Sequence, residues 1–168
     1  MFDQHYPFRF VMNESVVGEL YHHILRFSFD GPGNHQYIVI AENYSNHIFA
    51  IKFFLKSHSG SDDKFGLLTG FQKAPRIIRT CIEIMLLILR DHPTASFCIL
   101  GTSLENESKQ ETKRFRIYKH VLQNFFSPVR FEHRYMAERS LYLLINKEND
   151  IPALIEELSG LLIKYNFE

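Results

Sequence analysis

The residues best suited to chemistry lie between positions 64 and 91, where a short apolar run leads into a long apolar helix pattern. The run at 65–69 ends in a turn that contains Gly70 and the basic residues Lys73 and Arg76. A strand, a turn and a helix in this order place backbone N–H groups at the start of the helix, where they bind anions. This stretch therefore predicts a site for a phosphate or another anion, although spacing alone identifies no catalytic residue.

The elements that must position this site follow from hydrophobic periodicity. Apolar runs rich in β-branched and aromatic residues predict strands at 8–12, 37–41, 48–55, 65–69, 96–100, 129–133 and 140–145. Helical spacing predicts helices at 15–27, from Pro75 to the end of the run at 91, at 114–126 and at 150–165. The order predicts an α/β fold in one domain, with a core at about 8–146 and an added C-terminal helix at about 150–165.

Composition limits the class of protein. Lysine plus arginine and aspartate plus glutamate number 19 each, so no global charge favours nucleic acid or an anionic membrane surface. Cys81 and Cys98 sit in apolar patterns without C-x-x-C spacing, which predicts buried free thiols and fits a reducing cytoplasm. The histidines lack metal-ligand spacing, and no signal peptide or apolar run long enough for a bilayer is evident. We therefore expect a cytoplasmic protein without a metal or a membrane span.

Three segments resemble the GNAT superfamily of acyl-CoA-dependent N-acyltransferases. Residues 37–60 (YIVIAENYSNHIFAIKFFLKSHSG) look like the family's central hairpin, and 64–89 (KFGLLTGFQKAPRIIRTCIEIMLLIL) occupy the place of its fourth strand, pyrophosphate loop and following helix. Residues 114–126 (RFRIYKHVLQNFF) are similar to the helix that carries the family's tyrosine. The resemblance covers roughly 8–146 and implies a three-layer arrangement, in which helices flank a mixed, mostly antiparallel central sheet.

The resemblance also implies an activity, namely transfer of an acyl group from acetyl-CoA or another acyl-CoA to an amine acceptor. Tyr118 matches the tyrosine that protonates the departing thiolate, and its other interpretation is a core-facing helix tyrosine. Glu42, at a strand end, is a candidate for the base that activates the amine, and Glu83 is a second candidate. The residues that would hold the cofactor are Thr69, Gly70, Phe71, Gln72, Lys73, Ala74 and Arg76.

Two features keep a second function open. The family's loop pattern is Gln/Arg-x-x-Gly-x-Gly/Ala, and the alignment puts Phe71, Ala74 and Arg76 at its three defined positions, while Pro75 removes one N–H donor. These departures favour the alternative of a catalytically inactive GNAT-like fold that binds protein or nucleic acid. A basic helix segment could bind RNA or an acidic partner, or it could be a solvated face; its residues are Lys113, Arg114, Arg116, Lys119 and His120.

Overall fold

The computed structural model describes residues 4–18, 21–44, 47–62, 64, 74–101, 108 and 110–165. In these residues the strands are β1 (Phe8–Ser15), β2 (His23–Asp30), β3 (Gln36–Tyr44), β4 (Ile48–Leu55), β5 (Ser96–Leu100), β6 (Phe131–Met136) and β7 (Leu141–Asn146). The helices are α1 (Ala74–Asp91), α2 (Lys113–Phe125) and α3 (Ile151–Tyr165).

The described strands form one seven-stranded sheet in the order β1-β2-β3-β4-β5-β7-β6. The first four strands make an antiparallel meander, and β7 pairs antiparallel with both β5 and β6. Strands β4 and β5 are parallel, with Ile48 opposite Ser96 and Ile51 opposite Ile99. The prediction of a mixed, mostly antiparallel sheet is therefore confirmed.

The helices cover both faces of the sheet, because alternate strand residues point to opposite sides. On one face, Ile51 of β4 belongs to a buried cluster with Ile82 of α1 and Phe115 of α2. On the other face, Ala50 of β4 packs in a separate cluster with Leu154 of α3. The protein thus has three layers, with α1 and α2 on one side of the sheet and α3 on the other.

Most of the predicted elements are confirmed, including the hairpin of β3 and β4 and the antiparallel pair of β6 and β7. Pro75 lies in the first turn of α1, where its missing N–H costs no hydrogen bond. The Asp150 carboxylate caps α3, since its Oδ1 accepts a hydrogen bond from the Ala153 N–H at 3.2 Å. The strand predicted at 65–69 lies outside the described residues.

The helix predicted at 15–27 is wrong. The chain there finishes β1, turns, and enters β2, which pairs antiparallel with both β1 and β3. Gly18 adopts a φ of +88°, a left-handed conformation that interrupts a helix. In β2, Phe27 and Phe29 pack into the α1–α2 face while Ile24 packs on the opposite face, so the segment follows the period of a strand.

The junction between β5 and α2 leaves no room for a larger residue at Gly101. A Cβ atom there would lie 2.5 Å from the Phe115 backbone nitrogen. The Thr112 hydroxyl holds the two segments together, because it donates to the Gly101 carbonyl and accepts from the Phe115 N–H. The approach of α2 to the sheet therefore depends on a glycine at this position.

We expect Gly101→Ala to lower the free energy of unfolding by about 1–3 kcal/mol, because the added methyl group must displace backbone atoms. Urea unfolding followed by circular dichroism measures this change. Gly60→Ala is the matched control, since a Cβ at Gly60 meets no atom within 4 Å. Equal stability of the two variants would contradict the close packing of α2 on Gly101.

Candidate functional site

The carboxyl ends of β4 and β5 are where the chain leaves the parallel strands on its way to α1 and α2. These are the parallel neighbours among the described strands, and each is followed along the chain by a helix on the same face. Helix α2 begins beside the carboxyl end of β5, where the Thr112 hydroxyl donates to the Gly101 carbonyl, whereas the first turn of α1 contacts Tyr6, which stacks on Phe29 of β2. Helix N-termini carry unpaired N–H groups and partial positive charge, which favour anionic ligands.

Tyr118 lies in the layer between α2 and this part of the sheet. Its side chain is 6% exposed and belongs to the same buried cluster as Phe53 of β4 and Cys81 of α1. Arg114, one helical turn earlier, is also 6% exposed, and its guanidinium lies 5.1 Å from the centre of the Phe53 ring. We name Tyr118, Arg114, Phe53 and Cys81 the Tyr118 cluster.

The environment of Tyr118 keeps its hydroxyl protonated. Burial raises the pKa of Tyr118 well above its usual range, the positive charge of Arg114 opposes this effect, and Cys81 adds a smaller increase. A phenol with a raised pKa retains its proton at neutral and moderately alkaline pH. Tyr118 is therefore present as the neutral phenol, and its raised pKa makes it a weak acid.

Glu42 lies on the opposite face of the sheet. Its neighbour Ala41 packs in the α1–α2 layer, so the Glu42 side chain points to the α3 side. Glu42 is 5% exposed, and its carboxylate Oε1 lies 2.9 Å from Lys52 Nζ. The Tyr44 hydroxyl donates a hydrogen bond to the same oxygen at 3.3 Å. We name Glu42, Lys52 and Tyr44 the Glu42 cluster.

The two clusters meet at one point along β4. Lys52 and Phe53 are adjacent, so their side chains point to opposite faces, one into each cluster. Pairing between β4 and β5 ends just before them, at Ile51 and Ile99, although β4 continues to Leu55. The structure does not bring Tyr118 and Glu42 together: they lie on opposite faces of the sheet, and Glu42 pairs with Ala50, inside the parallel segment.

The other predicted site residues fall elsewhere. Arg76 stacks on the Tyr6 ring, with its guanidinium carbon 4.0 Å from the ring centre, and donates to the His5 carbonyl at 3.4 Å. Glu83, the second candidate base, is held by an ion pair with Arg79 on the same helix. Ala74 is the first residue of α1. Thr69, Gly70, Phe71, Gln72 and Lys73 lie outside the described residues.

Sequence reasoning missed Lys52 and misplaced Arg114. Lys52 is a single cation in the apolar run of β4, and such an isolated charge signals a buried partner on a neighbouring strand. Arg114 was grouped with the exposed basic residues of α2, yet it is buried while Lys113, Arg116 and His120 are exposed. Its spacing of four residues from Tyr118 was the available signal, because residues four apart share a helix face.

The described residues offer no other obvious chemistry. They contain no group of three or more histidine, cysteine, aspartate or glutamate side chains that could hold a metal ion. Within the same residues, no helix has both the length and the apolar character needed to cross a bilayer. Cys81 and Cys98 are free and buried, as predicted, and burial raises the pKa of each thiol to about 12.

We expect both thiols to be inert in the folded protein. A thiol pKa of about 12 instead of 9.0 lowers the thiolate fraction near pH 8 by roughly 1000-fold, so labelling by DTNB should be slower in buffer than in urea by at least that factor. Since the unfolded thiols ionise first, their contribution to stability is complete below pH 9 and decreases towards pH 12. Rapid labelling of the folded protein at pH 8 would contradict this burial.

The Glu42–Lys52 ion pair can be tested by removing one partner. Lys52→Met should lower the free energy of unfolding by roughly 3 kcal/mol, because it leaves the Glu42 carboxylate buried without its ammonium group. Adding Glu42→Gln should restore part of this loss, since the uncompensated charge disappears. Urea unfolding of the single and double variants measures the coupling between the two side chains.

Arg134→Met is the control for this cycle. It removes a partner from the Arg134–Glu132 pair, whose side chains are 49% and 32% exposed at an N–O distance of 2.8 Å. Exposed pairs contribute less than about 1 kcal/mol, because water screens them. If Lys52→Met and Arg134→Met lowered the free energy of unfolding equally, the Glu42 carboxylate would be solvated.

Comparisons with known proteins give no family for this chain. A scan against models of protein families, a search of curated proteins and a search of solved structures each found no match. The side chains of the two clusters beside β4 are therefore the basis for proposing a function.

Proposed function

We propose that this chain is a divergent member of the GNAT superfamily that transfers an acyl group from acyl-CoA to an amine. One observation carries the proposal: Tyr118 is buried between α2 and the sheet, in one cluster with Phe53 of β4, and the buried cation Arg114 lies one helical turn away. The β3–β4 hairpin, the mixed sheet and the two helices that follow β4 and β5 support it, since they agree with a GNAT-like layout.

The described residues suit an anionic thioester at this point. Arg114 contributes a buried positive charge beside Tyr118, and the N-terminus of α2 adds its partial charge. Cofactor phosphates would be held by Lys73, by Arg76 in the first turn of α1 and by backbone N–H groups at the start of that helix. The cofactor supplies an activated acyl group, and the chain supplies the groups that move protons.

The chemistry requires two proton movements. The amine nitrogen bonds to the thioester carbonyl carbon, and the carbon–sulfur bond breaks. Tyr118, which remains a neutral phenol at neutral pH, would donate its proton to the departing sulfur as negative charge develops there. The amine proton passes to water, because Glu42, the carboxylate predicted for this step, lies across the sheet from Tyr118 and is paired with Lys52.

A second function is favoured by the contacts of two of these residues. Arg76 is already engaged by Tyr6 and the His5 carbonyl, and the Glu42 carboxylate is already engaged by Lys52. If both engagements persist in solution, the phosphate ligand and the base are lost to structural roles. The fold would then serve as a binding module for a protein or nucleic-acid partner.

Thermal unfolding with and without excess acetyl-CoA separates these functions. A ligand present at ~100 times its dissociation constant stabilises the folded state by about 2.7 kcal/mol, which raises the unfolding midpoint measurably. The shift should disappear in a Lys73→Ala/Arg76→Ala variant. Absence of any shift in the natural sequence would remove the acyltransferase proposal and leave the binding module.

Tyr118→Phe tests the proton donor separately from binding. The variant should keep the acetyl-CoA shift, because the ring still fills the buried layer, while release of free CoA in the presence of an amine panel should fall by ~10²- to 10⁴-fold. Tyr142→Phe is the control, since Tyr142 is another buried tyrosine and lies outside both clusters. Unchanged turnover in Tyr118→Phe would contradict the assigned role.

A further inference from the structure

A large aromatic side chain is exposed at the edge of the sheet, beside α2. Tyr135 is 48% exposed. Its ring stacks on Tyr142 with centres 6.2 Å apart and an angle of 19°, and it meets Phe115 edge-on at 6.1 Å. Tyr135 lies on β6, the last strand of the described sheet. The ring is thus held in place while much of its surface faces solvent.

Positive charge surrounds this ring. The Lys119 ammonium lies over it, 4.1 Å from the ring centre, and Arg116 is exposed one turn earlier on α2. Neither cation forms an ion pair within the part of the chain that the structure describes. Other exposed charges near the start of α2 are Lys113 and Arg139, against Glu111 and Glu138. We name Arg116, Lys119 and Tyr135 the Tyr135 surface.

The base of this surface is fixed by hydrogen bonds. The Tyr142 hydroxyl lies 2.7 Å from His133 Nδ1, and His133 Nε2 lies 2.8 Å from the Phe126 carbonyl oxygen. A further hydrogen bond joins the Tyr142 hydroxyl to the Gln123 side chain of α2. Because strand and helix are tied together under Tyr135, little ordering remains to be done when a ligand binds.

We infer that the Tyr135 surface binds single-stranded nucleic acid. The Lys119 ammonium would move from the ring to a phosphate and leave that face of Tyr135 to a stacked base, while Arg116 would bind a neighbouring phosphate, as in sequence-tolerant single-strand sites. An acidic peptide would satisfy the two cations equally well, but it has no use for an exposed planar ring. The inference does not depend on acyl transfer, because none of these side chains belongs to the Tyr118 cluster or to the Glu42 cluster.

The test uses a fluorescein-labelled 12-nucleotide oligouridylate and fluorescence anisotropy with the full chain at several salt concentrations. Tyr135→Ala should weaken binding about tenfold or more through lost stacking, and Tyr135→Phe should retain most of the affinity. Arg116→Gln/Lys119→Gln should weaken binding. It should also make the slope of log affinity against log salt concentration shallower, by an amount that corresponds to up to two phosphate contacts. Arg9→Gln is the matched control, because Arg9 is an exposed cation on β1 at the opposite edge of the sheet.

Three results would overturn the inference. The first is no binding of the oligouridylate at low salt. The second is that the Tyr135, Arg116 and Lys119 variants bind it as tightly as the Arg9→Gln control does. The third is equal binding of a poly-glutamate peptide that is insensitive to Tyr135→Ala, which would assign the surface to an acidic protein partner. Circular dichroism of each variant confirms that lost binding does not reflect lost folding. The acetyl-CoA thermal shift is measured in parallel on the same protein. Loss of oligouridylate binding with the thermal shift retained would contradict the nucleic-acid site alone and leave the acyltransferase proposal intact.

Discussion

The parallel pairing of β4 with β5 determines the arrangement of the rest of the molecule. Neighbouring parallel strands cannot be joined by a tight turn, so the chain must cross back over the sheet between them, and it does so through α1. The helix after β5 packs on the same face, where both helices share one buried cluster with the sheet. The opposite face is left for α3, and α2 begins beside the carboxyl end of β5, at Gly101.

The same constraint assigns each charged group to a layer. Because strand side chains alternate, Lys52 joins Glu42 on the α3 side and Phe53 joins Arg114 and Tyr118 on the α1–α2 side. A shift of one residue in the β3–β4 register would exchange these faces and bury Lys52 among the apolar residues of α1 and α2. The fold and the chemistry of the candidate site therefore depend on one register, in which Ile40 pairs with Lys52.

The sequence predicts much of this fold, because most elements carry a periodicity that only one structure satisfies. β4 and α1 are examples, whereas residues 15–27 satisfy two periods at once, and the positive φ of Gly18 decides against the helix. The site is less predictable. Helix spacing identifies the inward direction of Tyr118, but the ion pair of Glu42 with Lys52 depends on strand register, which local sequence does not specify.

Charged side chains are buried on both faces of β4, although packing alone does not require them. A buried ion pair adds little to stability compared with apolar side chains of similar volume, and the residues around Glu42 and Lys52 are largely apolar. Arg114 is likewise buried against Phe53, where an apolar side chain would meet no desolvation cost. Packing alone therefore does not require charge at these positions. Lys52 and Phe53, which contact these charges from opposite faces of β4, directly follow Ile51, the last residue of β4 that pairs with β5.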